Sequence, residues 1–302
     1  MSIRPINCMT SMKKKSEFEY AFFGTGEIAA RVLKNLLAAQ LVPTLIITSP
    51  DQPQGRGLAQ RPSAVAQIAH AESLDTIKPA AFDSDLITLL QAKEYTVFVV
   101  ADYGVLLPQK LLDLPKRGVI NMHPSLLPRL RGPSPIRSAI LSDEKETGVS
   151  VMLLDEKMDH GTILAQQKVP IPQWPPNGQE LDEILARAGG MLLARILPLY
   201  VRGEIEPRAQ NHDLSTYCKQ FTKADGLINL AADAYQNLLK IRAFEGWPGT
   251  YTFFERAGKR IRVQILDAHI EHKKLVVGTV KPEGKKEMLY SEFMRSGAKP
   301  CA

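Results

Sequence analysis

The sequence predicts an α/β protein with a doubly wound, mostly parallel sheet and a smaller β-rich domain at its C-terminal end. Apolar strands alternate with amphipathic helical stretches over residues 18–202, which is the pattern of a parallel sheet covered on both faces. A stretch rich in Gly, Pro and charged residues follows at 203–210, and short β runs separated by polar turns come after it. At 302 residues the chain can form one large or two modest domains.

The first elements form a strand, a tight turn and a helix. An apolar strand at 19–23 runs into Gly24 and Gly26, and the helix after them carries apolar side chains at helical spacing. These side chains are Ile28, Val32, Leu33, Leu36 and Leu37. On the same grounds we expect strands at 45–48 and 96–101 and helices at 63–71 and 84–92.

A later strand delivers two polar side chains to the end of the sheet. Residues 119–122 form this strand, and Asn121 and His123 leave it on the same face because side chains alternate along a strand. Open α/β sheets bind ligands at the carboxyl ends of their strands. An amide that can hold a developing oxyanion, beside an imidazole that can move a proton, suits acyl transfer to an amine. A hydrogen-bonded turn cap is the alternative.

The remaining elements complete two domains. A strand pair at 148–154 and 163–169 is joined by a loop that places Asp159 in a turn, and a helix at 179–201 closes the first domain. The second domain is predicted to contain a helix at 233–244 and β runs at 251–254, 260–265 and 275–280. The expected regions are a disordered or ragged tail at 1–17, a catalytic domain at 18–202, a linker at 203–210 and a C-terminal domain at 211–302.

Composition indicates a globular chain in a reducing compartment. The chain is 44% hydrophobic and 23% charged, and no apolar run approaches the roughly 20 residues of a transmembrane helix. The basic N-terminal stretch lacks the apolar region of a secretory signal, and Met1, Met9 and Met12 all remain possible starts. The three cysteines are far apart, without the spacing of a zinc site or a disulfide framework. They are Cys8, Cys218 and Cys301. We therefore expect a cytoplasmic protein.

Positive charge gathers in the last third of the chain. The formal net charge is +6, which permits a polyanionic partner without requiring one. The clustered basic residues are Arg256, Lys259, Arg260, Arg262, His272, Lys273, Lys274, Lys281, Lys285 and Lys286. A nucleic-acid-binding face and a merely solvated surface both fit this distribution.

Four segments resemble one family of enzymes. Residues 121–132, followed by Asp159, resemble the Asn, His and Asp signature of formyltransferases that use 10-formyltetrahydrofolate. The Gly-rich basic loop at 50–57 and the segments at 241–250 and 282–288 resemble the methionyl-tRNA formyltransferases within that group. The resemblance covers nearly the whole chain, from about residue 19 to residue 297.

The resemblance implies a reaction and three catalytic residues. The formyl group of 10-formyltetrahydrofolate, a co-substrate, passes to the α-amino group of methionyl initiator tRNA for translation initiation, without a metal. Asn121 is implied to stabilise the oxyanion, His123 to move the proton, and Asp159 to orient His123. No G-x-S-x-G elbow surrounds Ser125, so we do not assign it as a nucleophile.

The resemblance also implies binding residues and a fold. The implied folate-binding residues are Val100, Ala101, Asp102, Tyr103, Ser125, Leu126, Leu127, Pro128, Met152 and Asp155. The implied tRNA-binding residues are Arg56, Arg61, Lys259, Arg260, Arg262, Lys285 and Lys286. The implied fold is a formyltransferase-like Rossmann domain with a C-terminal barrel of the oligonucleotide-binding type. This barrel is expected to be shortened, because residues 278–280 pass directly into 281–284. We expect a monomer.

Three other functions remain open. Residues 24–29 fit G-x-G-x-x-A after a strand, which also suits a nicotinamide-dependent reductase, although no acidic residue ends the second strand. A folate-dependent N-formyltransferase acting on an amino sugar or another small amine is the nearest alternative. A tRNA-binding relative without activity is the third.

Overall fold

The structure, a computed structural model, describes residues 16–54 and 59–301. These residues form two compact units, and one strand and one long helix are divided between them. The first contains the described residues up to 120 together with 193–204, and the second contains 121–192 together with the residues from 205 onward. The predicted boundaries at 202 and 210 remain predictions.

The first unit is an alternation of strands and helices around a parallel sheet. Its strands are β1 Tyr20–Gly24, β2 Leu45–Ile47, β3 Gln52–Gln54, β4 Ala59–Arg61, β5 Thr76–Ile77, β6 Val97–Ala101 and the start of β7 Val119–His123. Its helices are α1 Glu27–Ala38, α2 Ala64–Ala71, α3 Ser84–Gln91 and α4 Gln109–Leu112. Four strands pair in the order β5-β2-β1-β6, all parallel.

Apolar burial and two glycines explain the start of this unit. Every residue of β1 is buried, as a central parallel strand requires. A Cβ on Gly24 would lie 2.7 Å from both the Ala29 Cβ and the Phe22 ring, so only glycine permits this close approach of strand and helix. A Cβ on Gly26 would run into the Asp102 side chain. The glycines therefore have a packing role that needs no nucleotide.

The predicted basic loop at 50–57 begins with a strand that pairs with residues just after the loop, which composition did not indicate. β3 and β4 pair antiparallel, with Gln52 opposite Arg61 and Gln54 opposite Ala59. The sequence predicted only a loop here, because Pro and Gly are typical of irregular loops.

The second unit begins within β7 and continues with mixed structure. Its next elements are α5 Pro135–Leu141, β8 Thr147–Leu153, β9 Ile163–Val169 and the start of α6 Gly178–Val201. The strand order here is β7-β8-β9, and the predicted pair of strands, β8 and β9, is antiparallel. Two 3₁₀ turns follow, at His212–Leu214 and Lys223–Gly226.

Helix α6 is long and apolar. It has 24 residues, and by length and composition it could cross a membrane, although half of its most apolar window is buried within the protein. Core helices of soluble proteins pass the same test. The buried side chains of α6 are Leu181, Leu185, Ala186, Leu192, Leu193, Ile196, Leu197 and Tyr200. Burial of one apolar side of the helix is typical of a core helix.

The C-terminal part of the second unit is rich in β-structure. Its elements are α7 Ala234–Ala243, β10 Thr250–Arg256, β11 Lys259–Ile265, β12 Ala268–Glu271, β13 Lys274–Val277, β14 Thr279–Pro282, β15 Met288–Leu289, α8 Tyr290–Arg295 and β16 Lys299–Pro300. Five strands form one sheet in the order β15-β14-β11-β10-β16, and β12 and β13 form a separate hairpin. The hydrophobic core of this region contains the fully buried Phe254, Val263 and Phe293. The predicted strands at 251–254 and 260–265 are confirmed, whereas 275–280 divides between β13 and β14.

Candidate active site

The end of β7 presents Asn121 and His123 as predicted. His123 is buried, with 5% of its surface exposed, and Asn121 is half-buried. Among residues 16–54 and 59–301, no hydrogen-bond partner occupies the Asn121 side-chain amide. That amide is free to donate to a bound oxygen.

His123 and Asp159 form a buried pair in the second unit. The His123 Nδ1 lies 3.6 Å from the Asp159 Oδ1, and only 6% and 11% of the two side chains are exposed. The His123 Nε2 lies 2.9 Å from the Leu130 carbonyl oxygen. A carbonyl can only accept, so Nε2 carries a hydrogen and Nδ1 faces the carboxylate. The 3.6 Å separation is longer than a direct hydrogen bond.

The turn that carries Asp159 is held by the backbone. Asp159 has φ +50°, a left-handed conformation that Asp adopts more readily than most residues. Its Oδ2 accepts a hydrogen bond of 2.7 Å from the Gly132 N–H. One carboxylate oxygen is therefore anchored and the other faces His123.

The loop after His123 is stabilised by its own hydrogen bonds. The Ser125 hydroxyl donates to the Arg129 carbonyl at 2.7 Å, and the Ser125 carbonyl accepts from the Ser150 hydroxyl at 2.7 Å. Gln166 donates to the Leu127 carbonyl at 2.7 Å. Ser125 thus has a structural environment, which agrees with its exclusion as a nucleophile.

The residues predicted to bind folate lie at the ends of strands in both units. In the first unit, Val100 and Ala101 end β6 and are buried, and Asp102 follows in an exposed turn at φ +43°. The Tyr103 ring packs edge-on against Phe23 at 5.6 Å, and burial raises its pKa to about 12.

In the second unit, the predicted folate-binding residues differ in exposure. Ser125, Leu127 and Met152 are buried. Leu126 and Pro128 are half-buried, and Asp155 is exposed. Leu127 packs with Met152 and Ile163 in one apolar cluster. Contact of any of these residues with folate remains a prediction.

The residues predicted to bind tRNA are mostly exposed. Arg61 lies exposed on β4, and Lys259, Arg260, Lys285 and Lys286 are exposed in the C-terminal region. Arg56 lies outside the described residues. Their contact with tRNA remains a prediction.

Two of the predicted arginines stack on aromatic rings that sequence reasoning did not single out. The Arg260 guanidinium lies 3.9 Å from the centre of the Phe253 ring, and the Arg262 guanidinium lies 3.8 Å from that of Tyr251. Among the described residues, the buried Arg262 Nε has no hydrogen-bond partner. The sequence signal for this stacking was the alternation of side chains along β10 and β11, because it puts the two arginines and the two aromatic rings on one face of the sheet.

A polar cluster beside Asp159 was also missed. The buried Arg131 contacts Gln210 and His212, and the His212 ring stacks on His160 at 4.1 Å. His160 is paired with Asp155 at 2.7 Å rather than with Asp159. No signal in the sequence separates Arg131 from its neighbour Arg129 in the same Pro-rich segment.

The pKa of His212 is lowered, first by desolvation and then by nearby positive charge. The charged groups around it are His160, Arg131, Lys157 and the opposing Asp155. Within the part of the chain that the structure describes, no three His, Cys, Asp or Glu side chains are grouped to hold a metal ion.

Comparisons with known proteins identify the family of this chain. Residues 19–196 match the formyl transferase family, and residues 220–275 match the formyl transferase C-terminal domain. The methionyl-tRNA formyltransferase of Chloroflexus aurantiacus is 41% identical over 243 residues, which are 80% of this chain and 77% of the relative.

Solved structures show the same fold. A sugar N-formyltransferase from a Shewanella species has a TM-score of 0.61 at 18% identity, covering 87% of this chain and 100% of that one. The methionyl-tRNA formyltransferase of Clostridium thermocellum has a TM-score of 0.58 at 15% identity, covering 88% and 98%. At these identities the likeness concerns the fold alone and does not choose between acceptors. The family match and the relative of 41% identity show that this chain belongs to the formyl transferase family, among its methionyl-tRNA formyltransferases.

Proposed function

We propose that this chain transfers the formyl group of 10-formyltetrahydrofolate to the α-amino group of methionyl initiator tRNA. The observation that carries the proposal is the buried His123–Asp159 pair beside the free amide of Asn121. Membership of the formyl transferase family implies a folate-derived donor, and 41% identity to a methionyl-tRNA formyltransferase supports the tRNA acceptor. A monomer working in the cytoplasm is part of the same proposal.

The first chemical step is attack of the amine on the formyl carbon. The amine must be neutral, and an α-amino group with a pKa of about 7.7 to 8.0, lowered further by the ester, meets this condition near neutral pH. As the new C–N bond forms, the formyl oxygen gains negative charge. The Asn121 amide donates to this oxygen, and such a donor is typically worth about 10² to 10³ in rate.

The second step moves one proton. The His123 Nε2–H is held by the Leu130 carbonyl, so the Nδ1 edge takes the proton from the attacking amine. Asp159 stabilises the resulting imidazolium from 3.6 Å. Nδ1 then returns the proton to the folate nitrogen as the bond between that nitrogen and the formyl carbon breaks. The products are formylmethionyl-tRNA and tetrahydrofolate, and no proton is gained or lost.

The C-terminal region supplies the tRNA contacts in this proposal. The Arg260 and Arg262 guanidinium groups lie over aromatic rings, which reduces the rotational freedom lost on binding. Guanidinium groups bind phosphate in a bidentate manner. We therefore assign the Arg260 and Arg262 face to sequence-independent contacts with the tRNA backbone.

A transfer assay with two acceptors tests the proposal. The protein is incubated with a radiolabelled formyl donor and either charged initiator tRNA or a nucleotide-linked amino sugar. We expect label on the tRNA, and at least about a 10²-fold loss of turnover in Asn121→Ala and in His123→Ala. Label on the amino sugar alone would replace the proposed acceptor, and wild-type turnover in His123→Ala would refute the assigned chemistry.

A further inference from the structure

We propose that Gln210 and Arg131 are positioning residues that fix the Asp159 turn in the geometry that proton transfer needs. The proposal rests on the roles given above to His123 and Asp159. Neither Gln210 nor Arg131 acts on the reacting atoms in this scheme. They act through the turn that carries Asp159.

Gln210 uses its whole side chain to hold that turn. It is buried, with 6% of its surface exposed. Its Nε2 donates to the Asp159 carbonyl at 2.9 Å and to the Gly161 carbonyl at 2.7 Å. Its Oε1 accepts from the Arg131 Nη2 at 2.7 Å and from the Arg131 Nε at 3.2 Å. These four contacts fix the orientation of the Gln210 amide. The fixed amide in turn holds the Asp159 and Gly161 carbonyls in place.

Arg131 is a buried cation held by neutral groups. Only 1% of its surface is exposed, and among the described residues it has no carboxylate within ion-pair distance. Besides Gln210 it donates to the His212 Nδ1 at 2.8 Å and to the Tyr217 hydroxyl at 3.2 Å. A buried charge without a counter-ion costs stability compared with an apolar side chain of similar volume. Stability alone therefore does not account for an arginine here.

The two neighbours of Arg131 in the chain each contact one member of the catalytic pair. The Leu130 carbonyl accepts from His123, and the Gly132 N–H donates to Asp159. Arg131, between them, orients Gln210 against the same turn. One short segment thus sets the positions of His123 and Asp159 together.

This segment is held in turn by residues 216–218. The Leu130 N–H donates to the Thr216 hydroxyl at 2.9 Å, and the Arg131 N–H donates to the Thr216 carbonyl at 2.9 Å. The Cys218 N–H donates to the Arg131 carbonyl at 2.7 Å. A Cβ on Gly132 would collide with the Cys218 carbonyl, so the close approach requires glycine there. Residues beyond 205 are therefore part of the scaffold of the catalytic pair.

The substitution Gln210→Glu tests the proposal directly. Glu keeps an acceptor for Arg131 but replaces the amide nitrogen, which supplies both N–H donors, with one oxygen that faces the Asp159 and Gly161 carbonyls. A shift of about 1 Å in a catalytic group can cost about 10² in rate, so we expect kcat to fall about 10²-fold. We expect the KM for each substrate to stay within about twofold, because neither residue contacts substrate in this scheme. The pH profile of kcat should also change shape.

Tyr217→Phe is the matched control. It removes one hydrogen bond from Arg131 and leaves the four contacts of Gln210 intact. We expect its kcat and pH profile to match the wild type. If Gln210→Glu does not fold, Arg131→Lys replaces it, because lysine keeps the charge but cannot make the two-point contact with Gln210.

Two further variants separate this inference from the proposed function. Asp159→Asn and His123→Ala are measured in the same assay. If both lose activity while folded Gln210→Glu and Arg131→Lys keep wild-type kcat and pH profile, the positioning role is overturned. If the wild type transfers no label to the tRNA, the proposed function fails instead, and full activity of Asp159→Asn and His123→Ala would refute the chemistry assigned to the pair. A fall in melting temperature with unchanged kcat would reduce Gln210 to a structural residue and would also overturn the inference.

Discussion

Replacing Asp159 with Asn removes one charge from the catalytic pair and changes little else in shape. The carboxamide oxygen can still accept from the Gly132 N–H, so the turn keeps its anchor. At the observed 3.6 Å, the attraction between a carboxylate and an imidazolium is about 1 kcal/mol in a water-like dielectric and about 5 kcal/mol at an effective dielectric constant of 20. If the imidazolium forms only during the reaction, losing this attraction should lower kcat by about fivefold to about 5 × 10³-fold.

Single-turnover formyl transfer at saturating folate and tRNA measures this effect. We expect KM to change little, because the lost attraction belongs to the transition state. Glu146→Gln is the control, since it removes a carboxylate whose partner is the exposed Lys168 at 2.8 Å. A kcat for Asp159→Asn within twofold of the wild type lies below the smallest estimate, and it would refute the assigned role of the pair.

Three further predictions concern the second unit. Arg262→Ala should lower the magnitude of the slope of log tRNA affinity against log salt by about 0.7 to 0.9, because one phosphate contact is lost. Lys168→Ala should leave the slope unchanged. Filter binding measures both variants, and a wild-type slope in Arg262→Ala would contradict the assigned phosphate contact. Truncation after Glu206 should abolish transfer at every tRNA concentration, and a truncated enzyme with wild-type kcat would contradict this. His212 has a lowered pKa, so its stabilising contribution is present above the ordinary value of 6.5 and is lost as pH falls from there. Hydrogen exchange of residues 205–218 measures this loss, which should vanish in His212→Gln.

Local patterns predicted the parts of the fold that depend on neighbours in sequence. The strand that ends in Asn121 and His123 was predictable, because an apolar run and a period of two are visible in a few residues. The strand pair β8 and β9 was predictable for the same reason. The turn at Asp159 followed from the loop between them, although its left-handed φ did not.

Contacts between distant residues were not predictable in the same way. Gln210 and Asp159 are 51 positions apart, and no periodicity connects them. Residues 203–210 have the composition of a linker, yet Arg208 pairs with Ile163 through two backbone hydrogen bonds. The stacking of Arg262 on Tyr251 depends on strand register, which composition does not give. Such pairings need the tertiary structure.

The conformation of Asp159 links these distant contacts to the chemistry. A non-glycine residue with positive φ costs of the order of 1 kcal/mol or more, and it persists only where its surroundings over-determine it. Here the surroundings are the Gly132 N–H on the carboxylate and the Gln210 amide on the backbone carbonyl. Residues 216–218 hold the segment that contains Gly132, and Arg131 holds the Gln210 amide. Because the strained turn sets the distance from Asp159 to His123, loss of the Gln210 amide should change the rate of proton transfer without touching either substrate.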